Sequence, residues 1–102
     1  MAYMPEDNNL VRRVIVEGFV QGVGYRDFVR RAALRIGVSG WVRNRADGSV
    51  EALVVGAPAH IEALLAEMRR GPRGAMVTSL KLAEPGGHDG AKTGTFAIRP
   101  TI

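Results

Sequence analysis

Between Arg13 and Val20 the chain alternates, with Val14, Val16, Gly18 and Val20 on one side and Arg13, Ile15, Glu17 and Phe19 on the other. It then passes through Gln21-Gly22-Val23-Gly24 into Tyr25-Arg26 and a helix-patterned segment. A strand delivered into a helix by a glycine turn constrains the fold, because a helical crossover returns the chain to a strand parallel to the first. It also constrains the chemistry. Gly22 and Gly24 permit positive φ, so that successive N–H groups can converge on one anion. The helix start adds about half a positive charge, and the Arg26 guanidinium offers a planar fork of donors suited to phosphate or carboxylate.

The remaining pattern supplies the partners for that strand. Phe28, Ala32 and Ile36, joined by Val29 and Ala33, recur at helical spacing, and Gly37 stands at the C′ position. A second strand is predicted from about Val38 to Asn44 and a third from Ser49 to Val55, joined across the Asp47-Gly48 turn. Pro58 opens a second helix with the apolar stripe Ile61, Leu64, Leu65 and Met68, and Gly71-Pro72 ends it. Val77–Leu82 reads as a fourth strand, Pro85–Gly94 as an exposed glycine-rich loop, and Thr95–Arg99 as a short terminal strand. The order β-α-β-β-α-β plus a short strand predicts a ferredoxin-like α/β (α+β) sandwich, with two helices on one face of a mostly antiparallel sheet. In that topology the first two strands are parallel with the third between them. Asn44 and the loop from Gln21 to Arg26 then fall at one sheet edge.

Composition sets the limits. The 102 residues suffice for one domain, read as residues 10–102 behind a loose polar tail of residues 1–9. With no cysteine there is neither a disulfide framework nor a thiolate nucleophile. No leader or membrane-spanning run is apparent, so a cytoplasmic protein is expected. The formal charge of +4 is spread over dispersed arginines without interleaved aromatics or a ribonucleoprotein motif, so no nucleic-acid or membrane partner is expected. A positive field suits any small anionic substrate equally well.

Several reaction templates are absent. There is no Gly-x-x-x-x-Gly-Lys, and Asp27 stands where a dinucleotide fingerprint requires its third glycine. His60 and His88 have no metal-ligand spacing and read as surface residues. Ser39, Ser49, Thr78 and Ser79 lack a recognisable base. What remains is one permanent cation, several backbone donors and one carboxamide. Such a set cannot act as a strong general base, but it can bind a phosphoryl group, stabilise charge and orient water. That is enough for a substrate with a good leaving group, since loose phosphoryl transfer depends mainly on positioning and electrostatics. A carboxyl-phosphate anhydride qualifies, because its departing carboxylate needs no proton.

Gly18-Phe19-Val20-Gln21-Gly22-Val23-Gly24-Tyr25-Arg26 resembles the first acylphosphatase signature, and Gly40-Trp41-Val42-Arg43-Asn44 with Asp47-Gly48-Ser49-Val50-Glu51 resembles the second. The resemblance extends from about Arg12 to Phe96-Ala97-Ile98. It implies hydrolysis of acyl phosphates to carboxylate and inorganic phosphate, without metal or organic cofactor, and a monomer is expected. Arg26 matches the phosphate-binding arginine and Asn44 the water-positioning asparagine, the two catalytic residues. Gln21, Gly22, Val23, Gly24 and Tyr25 match the phosphate loop. Tyr25 replaces a common Phe, Phe19 occupies an often polar position, and the 85–94 loop is long for the family.

Each element also has a plainer reading. A glycine pair alone is a strand-to-helix turn, and an asparagine before Asp-Gly is a turn residue. Arg43 and Arg45 read as solvated, Glu51 as a sheet-surface charge, Trp41 as a core or sheet-covering residue, and Tyr25 with Phe28 as packing. Two alternatives to the enzyme stay open. One is a non-catalytic module that binds carbamoyl phosphate or a similar metabolite, as the acylphosphatase-like domains of hydrogenase-maturation proteins suggest. The other is an RNA-binding ferredoxin-like domain.

Overall fold

A computed structural model describes residues 9–85 and 94–102. All of the predicted tail but Asn9, and most of the predicted 85–94 loop, including His88, lie outside the described residues. The elements follow the order β1 (Leu10–Phe19), α1 (Tyr25–Ile36), β2 (Ser39–Asn44), β3 (Val50–Gly56), α2 (Pro58–Arg70), β4 (Met76–Ala83) and β5 (Phe96–Arg99). The strands form one sheet in the order β4-β1-β3-β2-β5. β3 is antiparallel to both β1 and β2, so β1 and β2 run parallel, as the crossover helix requires. β4 is antiparallel to β1, and β5 closes the other edge parallel to β2. β1 begins at Leu10, three residues before the predicted start, where it pairs with Gly56. Among the described residues no helix is long and apolar enough to cross a membrane.

Period-two alternation assigns the two faces of the sheet. Val14, Val16, Val42, Ala52 and Val54 point toward the helices and are buried with Val29, Ala32 and Ala33 of α1 and with the full predicted stripe of α2. The α1 stripe lies slightly off the predicted one. Tyr25 is fully buried, whereas Phe28 and Ile36 are only partly so. The Tyr25 hydroxyl donates to the Met68 carbonyl at 2.8 Å, satisfying a carbonyl in the last turn of α2. Burial raises the Tyr25 pKa far above its ordinary value, so the phenol stays a donor. Its hydroxyl therefore ties the start of α1 to the end of α2.

The opposite face carries a polar cluster that corrects the reading of Glu51 as a surface charge. Glu51 is 1% exposed, and its carboxylate accepts from Arg13 Nε at 2.6 Å and from Arg43 Nε at 2.9 Å. A carboxylate survives there only because two guanidiniums are placed on it. Arg43 is accordingly not a simple solvated side chain. It binds Glu51 and lies over the Trp41 ring, 4.7 Å from its centroid, and Arg99 approaches the same ring at 4.7 Å. These contacts let a tryptophan on the helix-free face stay 6% exposed.

Burial alone would raise the Glu51 pKa, but the hydrogen bonds and charges of Arg43 and Arg13 outweigh it and lower the pKa below its ordinary 4.5. A lowered folded pKa contributes stability that is fully present above the unfolded value and is lost as pH falls through the folded one. Glu51→Ala is expected to cost about 2–3 kcal/mol near neutral pH, less than a fully buried pair because both arginines keep some solvent. Urea unfolding should show the gap between wild type and Glu51→Gln narrowing as pH drops from neutral to about 3.

Candidate active site

β1 ends at Phe19, and Val20, 1% exposed, anchors the start of the connecting loop in the core. Gly22 and Gly24 then adopt φ of 78° and 77°. A Cβ added at either glycine would meet nothing within 4 Å, so backbone conformation and not crowding calls for glycine there. Gly24 is the N-cap of α1, and no side chain caps the helix. Its carbonyl accepts from the Phe28 amide at 3.0 Å, while the amides of the first turn have no intrahelical acceptor. Those donors, the helix dipole and the left-handed glycines form an anion cradle.

The second half of the site hangs from the β2–β3 hairpin. Arg45 N–H donates to the Ser49 carbonyl at 2.8 Å and Gly48 N–H to the Arg45 carbonyl at 3.0 Å, with Gly48 at φ 95° as the Asp-Gly pair predicts. Asp47 Oδ1 accepts from Ser49 N–H at 2.9 Å and from Ser49 Oγ at 2.6 Å, and these bonds lower its pKa. Asn44, the last residue of β2, pairs with Val50 across the ladder. From the other side, Ile102 N–H donates to the Asn44 carbonyl at 3.1 Å and the Ile102 carbonyl accepts from Ala46 N–H at 2.7 Å. The backbone under Asn44 is thus fixed on both sides.

Gln21 joins the two halves. Its Nε2 donates to the Arg45 carbonyl at 2.9 Å and to the Ser49 carbonyl at 2.8 Å. The amide nitrogen of this predicted phosphate-binding side chain is spent on clamping the hairpin to the loop. Of the other loop residues, Val23 packs its side chain against the core, and Tyr25 contributes its buried ring and its bond to α2.

The loop and hairpin enclose a cavity of about 190 Å³, lined by Gln21, Gly22, Gly24, Tyr25, Arg26 and Asn44, together with Val20, Asp27 and Ile98. Two features of its lining matter chemically. Arg26 is half-buried and has no ion-pair or hydrogen-bond partner among the described residues, so its fork is available to an anion. Asn44 Oδ1 is buried and accepts no hydrogen bond among the described residues. A buried acceptor in that condition costs about 1–3 kcal/mol, which a water or ligand donor would offset. Asp27 also borders the cavity, but its carboxylate is engaged by Arg31 at 2.9 Å across one turn of α1. Among the described residues no three of His, Cys, Asp and Glu gather in a way that could hold a metal ion.

Sequence reasoning singled out the cradle and Asn44 but missed Val20, Asp27 and Ile98 as cavity walls. Val20 and Asp27 are adjacent to predicted residues and could have been included by continuity. Ile98 enters only because β5 pairs in parallel with β2, setting Ile98 beside Val42 and close to Asn44 on the same face.

The family model described as Acylphosphatase matches residues 12–98. An acylphosphatase of Rhizobium etli is 53% identical over 75 residues, spanning 74% of this chain and 80% of its own. The crystal structure of the acylphosphatase from Bacillus subtilis superposes with a TM-score of 0.78 at 35% identity, covering 87% of this chain and 97% of that one. The phosphate- and nucleotide-bound structure of full-length HypF matches with a TM-score of 0.78 at 26% identity, covering 91% of this chain but 12% of HypF. With both signature stretches inside the matched span and the same fold in the solved relatives, the chain belongs to the acylphosphatase family.

Proposed function

We propose that the protein hydrolyses acyl phosphates to a carboxylate and inorganic phosphate in the cavity between the β1–α1 loop and the end of β2. The observation that carries this reading is that a guanidinium and a buried carboxamide oxygen, neither with a partner among the described residues, line the same small cavity. The first-turn amides and Arg26 bind the phosphoryl oxygens, and their fixed charge is complementary to the charge spread over those oxygens in a loose transition state. Asn44 Oδ1 accepts a hydrogen bond from the attacking water and aims its lone pair at phosphorus.

The water oxygen forms the new bond to phosphorus as the bond from phosphorus to the acyl oxygen breaks. The electron pair leaves with the carboxylate, which needs no acid. The two water protons finish on the product as dihydrogen phosphate, so the substrate's own phosphoryl oxygen serves as base. This route suits a cradle whose two principal side chains, a guanidinium and a carboxamide, offer no general base.

A second reading is a module that binds a phosphorylated metabolite without turnover, and the match to a small part of HypF favours it. Asn44 argues for hydrolysis, because a phosphate-binding module has no use for an unpartnered acceptor beside its anion.

Benzoyl phosphate hydrolysis tests the choice. Arg26→Ala should lower kcat/KM by at least about 10³-fold, and Arg26→Lys should also lose most activity because an ammonium cannot reproduce the bidentate fork. Asn44→Ala should lower kcat by about 10²–10³-fold while inorganic phosphate still inhibits, separating water positioning from anion binding. Gln21→Ala should retain the fold by circular dichroism yet lose on the order of 10²-fold in kcat, as the hairpin drifts from the loop. Phosphate binding by a wild type that shows no turnover would establish the second reading instead.

A further inference from the structure

The cavity has a polar end and one apolar wall. Arg26, Asn44 and the glycine loop supply the polar end, whereas Ile98 is an aliphatic side chain that remains 42% exposed on the edge strand. Val20, the other aliphatic lining residue, is 1% exposed and offers almost no surface. Ile98 is held by the parallel ladder of β5 and β2, where it pairs with Val42 and shares a face with Asn44 two residues further along β2. An apolar side chain left open at the mouth of an anion site gains free energy when a ligand covers it. It gains nothing from the phosphoryl group, which the cradle and Arg26 engage.

Resting on the acyl phosphate reading above, we propose that Ile98 selects the acyl half of the substrate, favouring aromatic or alkyl acyl groups over small polar ones such as carbamoyl. The cradle fixes the phosphoryl end, so the acyl group extends past it along the wall that Ile98 forms. A polar acyl group placed there would exchange water for a hydrocarbon surface and lose hydrogen bonds. An apolar one would bury both surfaces. Selectivity among acyl phosphates thus lies in β5, outside the loop and hairpin that carry the reaction.

The test compares wild type, Ile98→Ala and Ile98→Leu. The ratio of kcat/KM for benzoyl phosphate to that for carbamoyl phosphate should fall about tenfold in Ile98→Ala, mainly through KM for benzoyl phosphate. Ile98→Leu, which restores the apolar surface, should keep the ratio within about threefold of wild type. A parallel calorimetric arm needs no turnover. Benzoylphosphonate should bind wild type more tightly than inorganic phosphate does, and Ile98→Ala should shrink that difference by about the same factor. Equal losses on both substrates would overturn the proposal and make Ile98 a wall on the water side. Equal affinity of wild type for the phosphonate and for phosphate would overturn it too. A wild type that hydrolyses neither substrate but keeps the Ile98-dependent preference in binding would refute the hydrolytic reading and leave the acyl-selecting role standing.

Discussion

β3 is paired along both edges, to β1 on one side and β2 on the other, and six of its seven residues are buried. Its antiparallel pairing to each neighbour is what makes those neighbours parallel. Parallel strands joined by a helix bring the exit of β1 and the end of β2 to the same side of the sheet. Without that strand in the middle, the cradle and Asn44 would share no cavity. The Glu51 carboxylate lies within this same strand and is satisfied by Arg13 of β1 and Arg43 of β2. One acidic side chain therefore bridges all three central strands on the face away from the helices, while Val50, Ala52 and Val54 knit them on the other.

The two faces of the molecule divide the labour. The helix-facing side of β2 and β3 is apolar until the last residue of β2, where Asn44 borders a cavity shared with Gln21 and Arg26. The opposite side spends arginines on covering Trp41 and neutralising Glu51. Arg26 differs from Arg13 and Arg43 in having no protein carboxylate to answer it among the described residues, although all three lie within reach of the sheet. That difference separates a guanidinium spent on the sheet from one left open to the cavity.

Much of this was legible in the chain itself. The stripe Ile61, Leu64, Leu65 and Met68 has helical spacing and is buried as read, and the Asp47-Gly48 pair forms the turn its residues require. The order of elements led to the parallel β1 and β2, and so to Asn44 beside the loop. Features that depend on strand neighbours were hidden. Glu51 alternates like a surface residue, and only the central position of β3 with an arginine on each side shows that it is covered. The carbonyl acceptors of Gln21 lie on a hairpin 24 and 28 residues away, a link with no local spacing signal. Ile98 sits in a four-residue strand whose pairing partner the local pattern does not specify.

The parallel pairing of β5 with β2 has a consequence for biogenesis. Chains leave the ribosome from their N-terminus, so residues 21–44, with the glycine loop, Arg26 and Asn44, emerge well before residues 96–102. Until the later segment pairs, β2 is an open edge, the Asn44 carbonyl lacks its Ile102 donor and the cavity has no β5 wall. A nascent chain stalled before Phe96 would therefore carry the loop, Arg26 and Asn44 in an unfinished pocket, its walls complete only when the edge of the sheet is sealed.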